Sequence, residues 1–164
     1  MTIERGEGDL LTADVDALVN PVNTEGVMGK GLALQFKKAY PDNFKAYQRA
    51  CKAGEVQTGQ MHLVSRLDSP RFIINFPTKK HWRQPSKLEY VRDGLRDLVA
   101  HVTRLHIKSI AVPPLGCGAG GLEWSAVRPL ILEAFSKVPE VRVVLFEPAD
   151  APVAGPITER RPPG

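Results

Sequence analysis

Short apolar runs and longer amphipathic stretches alternate along the chain. Residues 3–5, 17–22, 61–65, 72–76, 109–112 and 141–146 have the length and branched composition of strands, most of them buried. Between them the apolar spacing lengthens to that of helices. Leu32, Leu34, Phe36 and Tyr40 give one helix an apolar side, opposite Lys30, Lys37 and Lys38. A second helix restarts at Pro41 with Asp42 as its cap, turns Phe44, Tyr47 and Cys51 inward, and ends at Gly54. A capping box at Ser86-Lys87-Leu88-Glu89 opens a long helix striped by Leu88, Val91, Leu95, Leu98, Val102 and Leu105. A last helix runs from Val127 to about Lys137, and the periodicity stops after Pro148. Strands alternating with helices predict an α/β protein: a largely parallel or mixed sheet covered on both faces. Residues 1–148 form the domain, and 149–164 read as a flexible tail or linker.

Two joints between strand and helix are rich in glycine. After Asn20-Pro21-Val22-Asn23 comes Thr24-Glu25-Gly26-Val27-Met28-Gly29-Lys30-Gly31-Leu32. After Ile110-Ala111-Val112 comes Pro113-Pro114-Leu115-Gly116-Cys117-Gly118-Ala119-Gly120-Gly121-Leu122. A loop without Cβ atoms, running from a strand end into a helix N-terminus, lets backbone N–H groups approach an anion such as a nucleotide diphosphate. The spacing Gly26-x-x-Gly29-x-Gly31 reverses the dinucleotide fingerprint, and Lys30 is followed by Gly31, not Ser or Thr, so it is no P-loop. On open α/β sheets ligands gather at the carboxyl ends of strands, where both loops and residues 78–83 converge.

The 164 residues carry a formal charge of +4, unevenly spread. Lys79-Lys80-His81-Trp82-Arg83 with Lys87 forms one basic segment, and Lys37, Lys38, Lys45, Arg49 and Lys52 another. Basic side chains interleaved with an aromatic suit nucleic acid or polyphosphate. Cys51 and Cys117 lie far apart with no metal-ligand spacing, so no metal is expected and a reducing cytoplasm fits. No apolar run reaches the roughly 18 residues of a membrane span, and no membrane partner is expected.

The Gly8-Asp9-Leu10-Leu11 turn, Asn20-x-x-Asn23, the first glycine loop and Pro114-Leu115-Gly116-Cys117-Gly118 together resemble a macrodomain, in order and over residues 3–146. The resemblance implies a three-layer α/β/α fold with a mixed central sheet, and ADP-ribose as ligand with no cofactor. Asp9 and the Leu10 amide would meet the adenine, with Phe146 against it. Asn20, Asn23, Thr24, Gly26, Val27, Met28, Gly29, Lys30, Gly31 and Leu32 would hold the distal ribose and one side of the diphosphate. Gly116, Cys117, Gly118, Ala119, Gly120, Gly121 and Leu122 would cradle the other side, and Thr78 would also bind the ADP-ribose.

Within the family, Met28-Gly29-Lys30-Gly31-Leu32-Ala33 resembles the terminal ADP-ribose protein glycohydrolase branch. Residues 75–83 are similar to the DNA ADP-ribosyl glycohydrolases that act as antitoxins. That resemblance implies removal of ADP-ribose from ADP-ribosylated DNA, with the cognate transferase toxin as a candidate partner. The nucleophile would be a lysine, Lys79 or Lys80, attacking the anomeric carbon of the distal ribose. Such a lysine must be neutral near pH 7, several units below its ordinary pKa of about 10.4. His81, Trp82 and Arg83 would contact DNA. The protein-directed branch pairs its lysine with an aspartate where this chain has Gly120; Glu123 is the nearest acid. Two other readings stay open: a module that binds ADP-ribose without turnover, and a hydrolase of glutamate-linked ADP-ribose on protein.

Overall fold

The computed structural model describes residues 2–149; most of the expected tail lies outside the described residues. The strands are β1 (Thr2–Arg5), β2 (Ala17–Asn23), β3 (His62–Ser65), β4 (Phe72–Lys79), β5 (Ser109–Val112) and β6 (Arg142–Leu145). The helices are α1 (Gly31–Ala39), α2 (Pro41–Lys52), α3 (Leu88–Arg104) and α4 (Trp124–Phe135). One sheet holds the strands in the order β1-β6-β5-β2-β4-β3. β3 runs antiparallel to β4, and the other neighbours pair in parallel, so the sheet is mixed as expected.

Alternation along the strands builds two cores. Val19, Ile74, Ile110 and Val143 face α3 and α4, where Val91, Leu95, Leu98, Val102, Val127, Ile131 and Phe135 are buried. Their neighbours Leu18, Ile73, Ala111 and Val144 face the opposite way, against Phe36 of α1. Successive side chains on a strand point to opposite faces, so a run apolar at every position is buried on both. Each large side chain so buried contributes roughly 1.5–3 kcal/mol. A third cluster, Val22, Met28, Tyr47, Ala50 and Val56, seats α2 and the first glycine loop.

Several expectations shift by a residue or two. Tyr40, not Asp42, precedes α2; Pro41 takes the first helical position, leaving Asp42 inside the first turn. The capping box does not form: α3 starts at Leu88 after Lys87 with no side-chain cap, and Ser86 is drawn instead toward Gly120, whose carbonyl accepts its N–H at 2.9 Å. Leu88 is 40% exposed, so the buried stripe begins at Val91.

Two departures from regularity open the site. β2 pairs with β5 only at Ala17 and Leu18, so by Pro21, which has no N–H to offer, the two strands have parted. β2 then feeds α1 on one face while β5 feeds α4 on the other, a topological switch point with its crevice at the strands' carboxyl ends. The register of β2 against β4 also slips, from Val22 opposite Pro77 to Asn23 opposite Lys79. The extra residue is Thr78, and a bulge of this kind re-aims the side chains that follow it.

Candidate functional site

The crevice holds two adjoining cavities. The first, about 630 Å³, is walled by the ends of β2, β4 and β5, by residues 29–33 and by the second glycine loop. The second, about 660 Å³, lies toward Asp9, Leu10, Phe146 and Glu147. Leu32, Pro113 and Pro114 line both, so the cleft is continuous.

Side chains shape the first glycine loop. Asn23 Oδ1 accepts from Glu25 N–H at 2.9 Å and Val27 N–H at 3.4 Å, and its Nδ2 donates to the Val27 carbonyl at 2.9 Å. The fully buried Tyr47 of α2 places its hydroxyl 2.8 Å from both the Asn23 carbonyl and its Oδ1. Burial raises the Tyr47 pKa, so the phenol keeps its proton as a donor. Gly26, at φ +91°, turns toward Cys51 and Gln48 of α2. The loop delivers Val27, Gly29, Lys30, Gly31 and Leu32 to the cleft, where α1 begins without a side-chain cap.

The second glycine loop is built from its own backbone. Cys117 N–H donates to the Pro114 carbonyl, Gly121 N–H to Gly118 and Leu122 N–H to Gly116, at 3.1, 3.1 and 2.9 Å. Gly118, Ala119 and Gly120, which line the cleft, donate to no acceptor among the described residues. Gly116, which also lines the cleft, likewise donates to none, so within the expected cradle of 116 to 122 the N–H groups free to meet a ligand are those of Gly116, Gly118, Ala119 and Gly120. Cys117, Gly121 and Leu122 spend theirs within the loop. The Cys117 thiol bonds the Leu115 carbonyl and is pushed up to about 11 by burial and by Glu123, which suits packing. A Cβ on Gly120 would collide with Ser86 Oγ and stand 2.5 Å from the Gly116 carbonyl oxygen. No aspartate fits at 120 in this loop.

The bulge separates the two candidate lysines. Lys79 lines the first cavity and donates from Nζ to the Trp82 carbonyl at 3.1 Å; burial and then the charge of Lys30 lower its pKa. Lys80 points the other way and holds its ammonium 5.9 Å from the Tyr90 ring. The next residues form an arm over the cleft mouth. Glu25 pairs with His81 Nε2 at 3.2 Å and accepts from Trp82 N–H at 3.4 Å, while Thr24 Oγ1 donates to the Lys80 carbonyl at 2.8 Å. Trp82, 42% exposed, lines the cleft between the stacked His81 ring and the Arg83 guanidinium, 4.5 Å over it.

Of the other expected residues, Asn20, Thr24, Gly26 and Met28 lie away from the cavities, whereas Thr78 lines the first and Asp9, Leu10 and Phe146 the second. Asn20, within β2, is fully buried, donating to Asn75 at 3.1 Å and facing Met28 Sδ, and Met28 is itself in the third apolar cluster. Thr24 ties the loop to the Lys80 carbonyl and Gly26 packs against α2, while Thr78 is buried at the cleft wall. Asp9 borders the second cavity and uses one oxygen to cap the turn at Leu11, 3.0 Å away. Phe146 lies flat on Gly6, where a Cβ would stand 2.6 Å from the ring. Tyr47, Glu25, Ser86 and Glu147 were not anticipated at the site. Tyr47's inward spacing on α2 was the only trace in sequence of its role.

A family model for the Macro domain matches residues 19–131, which include both glycine loops. The chain belongs to the Macro domain family. It is 56% identical over 149 residues to the DNA ADP-ribosyl glycohydrolase of Mycobacterium tuberculosis, covering 90% of this chain and 42% of that protein. It therefore spans less than half the length of such curated relatives. The macrodomain of Mycobacterium tuberculosis DarG superposes with a TM-score of 0.88 at 55% identity, covering 90% of this chain and 99% of that one. Thermosipho africanus DarTG in complex with ADP-ribose superposes at 0.86, with 37% identity over 93% of this chain and 43% of that one. The fold thus matches that of the solved DarG macrodomain over nine-tenths of this chain.

Proposed function

We propose that this macrodomain is a DNA ADP-ribosyl glycohydrolase that frees ADP-ribose from a modified nucleobase, and that the protein it belongs to counteracts a DNA ADP-ribosyltransferase toxin in the cytoplasm. The reading is supported by the names of relatives more than half identical to it. One observation carries it: Lys79, alone of the paired lysines, lines the cleft, with its pKa lowered.

In this reading the adenine lies in the second cavity by Asp9 and Phe146. The diphosphate crosses between the α1 N-terminus and the N–H groups of Gly118, Ala119 and Gly120. The distal ribose reaches Asn23 and Lys79. The neutral Lys79 amine attacks the anomeric carbon; a C–N bond forms, the glycosidic bond breaks, and its electron pair leaves on the base, which takes a proton. Loss of the amine proton and ring opening give a Schiff base. Water hydrolyses it, restoring the amine and releasing ADP-ribose. A nucleobase spreads the departing electrons over its ring, which suits a cleft whose second loop has no room for a carboxylate at 120. His81, Trp82 and Arg83 meet the DNA beside the modified base.

Incubation with an ADP-ribosylated single-stranded oligonucleotide tests this. Wild type releases ADP-ribose, Lys79→Gln loses about a hundredfold or more, Lys80→Gln retains the chemical step, and borohydride traps an adduct on Lys79. Binding without release would leave only a reader, and faster release from glutamate-modified protein would move the substrate to protein.

A further inference from the structure

Beyond the cleft, Lys80 and Lys87 converge on one ring. Their ammonium groups lie 5.9 and 5.8 Å from the centroid of Tyr90, whose own residue is only 9% exposed. Neither lysine has an acidic partner among the described residues, whereas His81 on the same arm is paired with Glu25. Lys87 also stands at the start of the 17-residue helix α3, which has no side-chain cap there. Lys87 thus stands at the positive end of the helix dipole, in a turn that also carries Glu89.

The arm carrying these lysines is fastened at both ends to the loops of the cleft. The Lys80 carbonyl accepts from Thr24 of the first loop at 2.8 Å. Ser86, next to Lys87, donates its N–H to the Gly120 carbonyl of the second at 2.9 Å. A group held by the two lysines is therefore in fixed register with the cleft, which sets this pair apart from the lysines scattered over α1 and α2.

We propose that Lys80 and Lys87, converging over Tyr90, form a phosphate clamp for the DNA strand on one side of the modified nucleotide. The clamp rests on the DNA reading above. It holds the strand by charge, without reading sequence, and adds nothing to the grip on ADP-ribose.

Fluorescence anisotropy with an unmodified single-stranded oligonucleotide, repeated across salt concentrations, tests the clamp. For Lys80→Gln/Lys87→Gln the Kd should rise about tenfold at low salt, and the slope of log Kd against log salt should fall by about 1.4, the value for two phosphates of a single strand. ADP-ribose affinity by calorimetry should stay at the wild-type value. The charge-matched Lys45→Gln/Lys52→Gln on α2 should change the slope by less than half as much. Equal losses from both pairs would overturn the clamp, as would a parallel loss of ADP-ribose affinity. Wild type that frees ADP-ribose from DNA while the Lys80/Lys87 variant keeps the wild-type slope would sink the clamp alone. Wild type that neither binds the oligonucleotide nor frees ADP-ribose from DNA would sink both.

Discussion

The two glycine loops present backbone to the same cleft but keep their shapes by different means. The first is tied by side chains, with Asn23 bonding Glu25 and Val27 while Tyr47 holds Asn23 from α2. The second is folded on its own backbone and wedged by close packing: Ser86 leaves no room for a Cβ on Gly120, and Leu122 Cδ1 stands 2.7 Å from where one on Gly116 would be. A tied loop fails when a bond is removed, whereas a wedged loop fails when volume is added. Adding atoms should therefore damage the second loop, and deleting polar ones the first.

The largest effect expected is Gly120→Ala. One obstruction is backbone, the Gly116 carbonyl, which cannot swing aside as a side chain would. The variant should lose about 3 kcal/mol of stability and at least tenfold in ADP-ribose affinity, read by thermal unfolding and calorimetry. Gly118→Ala is the control within the same loop. A Cβ there meets nothing within 4 Å, so unfolding should shift by less than about 0.5 kcal/mol. Equal costs at both positions would break the distinction between the loops.

This contrast also separates what the sequence disclosed from what it hid. The continuous apolar runs of β2, β4 and β5 required burial on both faces, so the layered fold and the location of the cleft were legible. The glycines marked both loops for the same reason, as places where backbone must approach something. Alternation would have separated Lys79 from Lys80, but choosing which one faces the cleft needed the register at Thr78, and nothing in the local sequence marks a bulge there. Ser86 looked like a helix cap because its spacing to Glu89 was right; its bond to Gly120 joins residues 34 apart in sequence (120 − 86) and follows from packing alone. Tyr47 looked like core, and it is core, yet its hydroxyl organises the first loop. Patterns reveal which face a residue takes, whereas partners distant in sequence appear only in three dimensions.

Deletion in the first loop should come next in size. Asn23→Ala removes the acceptor for Glu25 and Val27 and leaves the Tyr47 hydroxyl only the backbone carbonyl of residue 23, at a cost of about 2 kcal/mol. Tyr47→Phe removes a single hydroxyl and should cost about 1 kcal/mol. Because Asn23 and Tyr47 share bonds, the double variant should cost less than the sum of the two, measured by denaturant unfolding. Additive costs would mean that Tyr47 supports α2 without holding the loop.

The smallest effect concerns what lies behind each loop. The second rests on the apolar core through Leu115, Cys117 and Leu122. The first is backed by buried amides: Asn20 donates to Asn75 at 3.1 Å, Asn43 and Asn75 bond each other, and Asn75 Nδ2 meets His62 Nδ1 at 3.1 Å. Burial lowers the His62 pKa, against a smaller opposing pull from Glu55. A histidine whose folded pKa is depressed binds its proton more readily in the unfolded chain. Its contribution is therefore whole above the unfolded value of about 6.5 and is lost as pH falls from there toward the folded pKa. Stability should fall on acidification across that window, by at most about 1.4 kcal/mol per pH unit for one proton. His62→Gln should flatten that part of the profile while leaving the pH-independent cost of Gly120→Ala unchanged. A profile identical with and without His62 would show that the network behind the first loop does not sense protons.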